Sequence, residues 1–425
     1  MSKKFLPALL AVLCAVSPSL AQTQSDDVVR ITTNLVQIDV VVTKNGKPIK
    51  DLKAEDFEIF EDGHRQVITS FAYVSNVTNN ANTLAGPGTT RSNNPNAPTD
   101  PNAPADPNSP PPSPAEIPRR RIALVVDDYG LSAQSMAAVK RQLRKFIDKQ
   151  LNPNDLIAII RTSRARRELP QFTNDKNLLN KAWEQLNWNQ CSRVGVKTMP
   201  IVGANATVGC ATAAFEESIS SLRTIVSALG RVPGRKSMIV FSNDMPLREE
   251  EKIVRGGSVL QVDDSKMEEA HSYHARLRRL AELAIRSSVV IYGVDSGGLQ
   301  VTSMTAADAT ARPRVSGSEG NGLFVKQLRD RSKLIESRRD GAHMIAKETG
   351  GFLVHDQNDF QLDKILDEQD GYYLIGYRPS TETFNKKFHK FKARVKEGGF
   401  EVRTRSGFFG ISEEEAKQLN GTPKS

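Results

Sequence analysis

Cysteine, histidine and tryptophan are scarce in this chain, with three, six and two among 425 residues. Two of the cysteines lie beyond the leader described below, far fewer than any zinc-ligand signature requires. After the first two dozen residues, no apolar run approaches the ~18 that a transmembrane helix needs. No glycine-rich loop with a lysine is present to cradle phosphates, and no pair of carboxylates has the context of a glycosidase. Basic residues exceed acidic ones, giving a formal net charge of +9. They spread along the chain, with short clusters at 119–121, 161–167 and 276–279, and aromatics do not interleave with them. Nucleic-acid motifs are absent, so no nucleic-acid partner is expected. The excess fits anionic surfaces such as envelope polysaccharide or lipid head groups better.

What is present begins with a leader. Lys3 and Lys4 precede the apolar run Phe5 to Val16, and Ser19-Leu20-Ala21 supplies small residues for cleavage. Residues 1–21 therefore read as a secretory signal peptide, and the expected protein is exported, periplasmic or secreted, with no transmembrane segment. Cys14 raises a lipoprotein reading, but Leu13 before it is bulkier than such sites accept. In an oxidising compartment Cys191 and Cys210 are candidates for a disulfide pinning a Gly/Asn/Thr-rich loop, with two free thiols as the alternative.

The mature chain divides by texture. Residues 22–78 alternate in β fashion, with turn signals at Asn45-Gly46 and Asp62-Gly63, and read as an N-terminal Ig-like β module. Residues 79–118 hold half of the chain's 22 prolines. With almost no large apolar side chain, they read as a disordered Pro/Asn-rich linker. From 119 to 368 apolar strands alternate with amphipathic helices, which predicts an α/β domain with a parallel central sheet covered on both faces. In the first helix Met136, Val139, Leu143, Phe146 and Ile147 form one stripe, with Ser132 or Ser135 as N-cap. Residues 369–412 return to β alternation, and 413–425 form a tail. The two flanking β segments are expected to pack near each other and complete one sandwich.

The first strand of the α/β region, RIALVVDDYGLS, ends on Asp127 and Asp128. In doubly wound sheets ligands bind outside the carboxyl ends of the strands, near the switch in strand order. Asp128 and Ser132 stand four apart at a strand-to-helix turn, suited to a hard divalent cation and close to the N–H groups of a helix start. The order of elements, this acidic strand end and the strand RKSMIVFSND resemble a von Willebrand factor A (VWA) domain. The stretches DFEIFEDG (56–63), PGRK (233–236) and YYLIGY (372–377) resemble those of exported bacterial VWA proteins of the acidobacterial type. The resemblance implies a doubly wound, Rossmann-like domain flanked by antiparallel, sandwich-like β segments. It also implies a Mg²⁺ site, called MIDAS in that family, in which an acidic group of the partner completes the ion's shell.

Carried onto this chain, that site is degenerate. Asp128 matches the first aspartate and Ser132 the second serine, but Gly130 stands at the first serine. Asn243 and Asp244 fall where the family has aspartate and glycine. The missing threonine is nearest in order to Thr207 or Thr212. Two readings stay open: Mg²⁺ held by Asp128, Ser132 and Asp244, with Asp127 as an alternative ligand, or a metal-free loop whose acids cap the helix. The expected ligand-binding face comprises Asp128, Gly130, Ser132, Asn243, Asp244 and Asp295.

Other candidates are weaker. Gly293 to Gly298 approximates a serine-protease Gly-Asp-Ser-Gly-Gly, but Val294 intrudes and no triad context precedes Ser296. His271 and His274, one turn apart with Asp263 and Asp264 upstream, suit a solvent-facing helix better than a metal. His343 and His355 have no nucleophile nearby in sequence. Tyr372, Tyr373 and Tyr377 read as sheet aromatics. The expected function is therefore recognition of a protein or cell-envelope ligand, not catalysis. A metal-independent scaffold or assembly role is the alternative, and a hydrolase stands further off.

Overall fold

The computed structural model describes residues 35–75, 120–152, 155–192, 204–232, 235–247, 252–255, 258–261, 273–299, 318–379 and 385–410. The expected signal peptide, the 79–118 linker and the 413–425 tail lie outside the described residues, as do Asp263, Asp264 and His271.

The N-terminal β segment supplies β1 (Val36–Lys44), β2 (Lys47–Pro48), β3 (Phe57–Glu61), β4 (His64–Gln66) and β5 (Ile68–Ser75). The α/β region follows with β6 (Arg120–Val126), α1 (Ala133–Lys149), β7 (Asp155–Arg161), α2 (Lys176–Glu184), α3 (Ala204–Gly230) and β8 (Lys236–Ser242). A small hairpin, β9 (Lys252–Arg255) and β10 (Ser258–Gln261), precedes α4 (Tyr273–Arg286), β11 (Val289–Asp295), α5 (Ser318–Thr349), β12 (Leu353–Val354) and α6 (Leu362–Gln369). The chain returns to β structure in β13 (Gly371–Tyr377), β14 (Phe388–Val395), β15 (Glu401–Arg403) and β16 (Gly407–Phe409).

Five strands form a parallel sheet in the order β12-β11-β8-β6-β7. Its strands are continuous apolar runs because both faces are covered. Alternation then sends neighbouring residues to opposite faces. Ile122, Leu124 and Val126 pack with α1, α2 and α6, while Ala123 and Val125 pack with α3, α4 and α5. The α1 stripe read from the sequence is buried in full, and Ser132 is the N-cap, its Oγ accepting the Ser135 backbone N–H. At the amino ends of β6 and β7, buried Arg120 grips Asp155 through two bonds of 2.6 and 2.7 Å and reaches Asp370 at 3.0 Å.

The two flanking β segments share their sheets. One antiparallel sheet runs β15-β1-β13-β5, with β2 added on β1, and the other runs β16-β14-β3-β4. Strand β1 pairs with β13 and β15, and β3 with β14, so each sheet mixes N- and C-terminal strands. Val36, Ile38, Val40 and Val42 of β1, Phe57 and Ile59 of β3, and Tyr373, Ile375 and Tyr377 of β13 build one apolar core. Strands β1, β3 and β5 of the N-terminal segment thus find hydrogen-bonding neighbours in the C-terminal segment.

Candidate functional site

Reversal of strand order between β6 and β8 opens a switch point at the carboxyl edge of the parallel sheet, where Asp127 and Asp128 stand. The loops here are tied to one another by backbone bonds. Asp127 N–H donates to Phe241 O at 3.0 Å, Asn243 N–H to Gly130 O at 2.9 Å, and Ser296 N–H to Ser242 O at 3.2 Å. The ends of β6, β8 and β11 therefore make one continuous rim.

Both acids are fully buried, and their partners define the site. Asp127 accepts from three hydroxyls: Thr162 at 3.1 Å, Ser218 at 2.5 Å and Ser242 at 2.8 Å. Asp128 accepts from Arg161, Nη2 at 2.7 Å and Nε at 3.1 Å, and from Thr162 Oγ1 at 2.9 Å. Ser163 adds its backbone N–H at 3.0 Å and its hydroxyl at 2.6 Å. A buried carboxylate needs a counter-charge and filled lone pairs. Here a guanidinium and neighbouring donors supply both.

The residues expected to hold Mg²⁺ all have other partners here. Asp128 carries a cation already, the hydroxyl of Ser132 caps α1 and contacts Ser135 Oγ at 2.8 Å, and Asp244 lies 3.8 Å from Arg338. Each proposed ligand is engaged by a different partner. A Mg²⁺ ion demands near-ideal octahedral oxygens, so the arrangement does not fit it. Asp127 is no better as a substitute, because its oxygens are held by hydroxyl donors.

Of the expected ligand face, Asp128, Gly130 and Asp295 are buried, while Ser132, Asn243 and Asp244 are partly exposed. Asn243 Nδ2 donates to Ser135 Oγ at 2.9 Å, and its buried Oδ1 has no donor among the described residues. Asp295 is paired with Arg339 at 2.6 Å, and Arg339 also holds Asp356. Burial pushes the Asp295 carboxyl above its ordinary range, against the opposing pull of the Gly297 N–H and Arg339. Asp356, more exposed, is lowered by the same arginine.

Sequence reasoning missed Arg161, Thr162, Ser163 and Ser218. The readable signal was the Arg-Thr-Ser directly after an apolar strand, at the same sheet edge as the paired acids. The side chains of Thr207 and Thr212 lie outside the described set. Cys191 is disulfide-bonded, and the side chain of Cys210 also lies outside the described set. His274 and His343 are exposed on α4 and α5, and His355 contacts Asp356 at 2.8 Å. The Ser296 hydroxyl is buried and lies 3.4 Å from Val294 O.

Exposed groups rise around this interlocked base. Arg164, Arg166 and Arg167 follow β7, Trp188 is 37% exposed with its indole N–H on Leu131 O, and Leu299 is 62% exposed after β11. A cleft of about 740 Å³ is lined mainly by α3 and α4 side chains, including Arg223, Arg276 and Arg279, with Arg231 just after α3, and by none of these rim residues.

No family model matches the chain, and no curated protein matches it. Among solved structures it is similar to the human COPII-coat protein Sec24c, at 10% identity and a TM-score of 0.23. That likeness covers 69% of this chain and 44% of the other.

Proposed function

We propose that this is an exported VWA-type binding protein that recognises a protein or cell-envelope ligand through the rim at the carboxyl ends of β6, β7, β8 and β11. The observation that carries the reading is the switch-point rim itself, a fixed base with exposed arginines and two exposed apolar side chains around it. In this reading Arg161 stands where the family places a metal ion, so recognition is metal-free. Acidic groups of the partner meet Arg164, Arg166 and Arg167, and Trp188 and Leu299 supply apolar contact. A binding role is favoured over catalysis because the rim hydroxyls bond to carboxylates, backbone carbonyls or one another, and none of those described pairs with a histidine.

The test is retention of envelope components on immobilised wild-type protein and on a triple Arg164→Glu, Arg166→Glu, Arg167→Glu variant. A component retained by the first, lost at least tenfold by the second, and indifferent to added Mg²⁺ is expected. Equal retention by both proteins would remove the rim from recognition.

A further inference from the structure

A second cluster lies in the sandwich, far along the chain from the rim acids. Among the described residues, Glu61, Asp62 and His389 alone bring three metal-ligating side chains within 4.8 Å of one another. Glu61 ends β3, Asp62 begins the turn to β4 at φ +48°, and His389 sits on the paired strand β14.

Hydrogen bonding around His389 fixes its tautomer. The backbone N–H of Lys387 donates at 2.9 Å to Asn385 Oδ1, which identifies that atom as oxygen. The same oxygen lies 3.1 Å from His389 Nε2, so Nε2 must carry a hydrogen. In the neutral ring, Nδ1 then presents a bare lone pair. It faces Asp62 Oδ2 at 2.9 Å and Glu61 Oε1 at 3.2 Å. Three electron-rich atoms at such distances repel unless a cation joins them.

A proton is one such cation, but it satisfies the cluster poorly. An Nδ1–H pointed at Asp62 serves one oxygen well, while the Glu61 side chain is only 1% exposed and, among the described residues, neither of its oxygens receives a well-formed hydrogen bond. The buried Tyr377 hydroxyl turns toward Glu61 but likewise lacks a well-formed bond. Two carboxylates and an imidazolium also sum to one negative charge, whereas two carboxylates, a neutral imidazole and a divalent ion sum to zero. Ligands about 2.0–2.1 Å from a tetrahedral ion stand about 3.3 Å apart, close to the 2.9 and 3.2 Å that separate His389 Nδ1 from the two carboxylates.

We propose that Glu61, Asp62 and His389 bind a divalent transition metal, Zn²⁺ best matching one imidazole and two carboxylates, with water at the fourth position beside exposed Asp62. Asn385 orients the imidazole by accepting its other N–H. Because Asp62 and His389 are 327 residues apart, the ion clasps the N-terminal segment to the C-terminal one. This site is independent of the rim reading.

The experiment is calorimetric titration of Zn²⁺ into the chelator-stripped, untagged full chain, with Co²⁺ absorption as a second readout. One ion per chain, a tetrahedral Co²⁺ spectrum and a melting temperature raised by several degrees are expected. His389→Gln should weaken binding at least a hundredfold. Asp62→Asn keeps the fold, since asparagine accepts positive φ and still receives the Lys390 N–H, and should weaken it at least tenfold. Absence of micromolar binding, or binding unchanged in folded Asp62→Asn, would overturn the site.

Discussion

At the residue scale, Asp128 and Arg161 decide how the rim is understood. A fully buried carboxylate paired with an arginine that is 15% exposed is stable only while both partners remain. Arg161→Met should cost about 3 kcal/mol in chemical denaturation, and adding Asp128→Asn should recover part of the loss. A single-variant cost below about 0.5 kcal/mol would show that the guanidinium is not the counter-charge. Glu368 poses a separate question, because its pKa is raised to about 7 by burial, against the pull of Arg403 at 2.5 Å and Arg235. Folding thus favours its protonated form. The stability this contributes is full below about pH 4.5 and lost as pH rises through 7, at most about 3 kcal/mol. Denaturation at pH 5 to 8 should show wild type losing stability relative to Glu368→Gln. Parallel curves would contradict the assignment.

At the scale of elements, close approach overrides propensity. Alanine in place of glycine inside a helix normally stabilises by about 1 kcal/mol. At Gly341 in α5, an added Cβ would lie 2.3 Å from Met245 O and 2.6 Å from Leu277 Cδ1. Gly341→Ala should therefore destabilise by about 2 kcal/mol, read as a lower melting temperature. A raised melting temperature would mean that α5 does not press on the loop after β8. The elements themselves were largely legible, since the α1 stripe, its cap and the apolar strands follow from period and burial. Ser218 and Ser242 as partners of Asp127 were not, because they arrive from 91 and 115 residues away, and hydroxyls that far apart carry no local pattern.

At the scale of the whole molecule, the chain closes on itself. Its α/β region is inserted between strands that pair with each other, so β1 completes a sheet only after β13 has formed. Local alternation identified these strands, whereas their pairing depended on both ends of the chain at once. Within the inserted region, the parallel pairing of β6 with β7 brings Arg161 to Asp128 and sets the central claim, recognition at the rim without Mg²⁺. Calorimetric titration of Mg²⁺ into the full chain, beside an Asp128→Asn variant, tests that claim most directly. The account predicts no Asp128-dependent binding up to several millimolar, the weak end of extracellular cation sites. Saturable binding abolished by Asp128→Asn would contradict it.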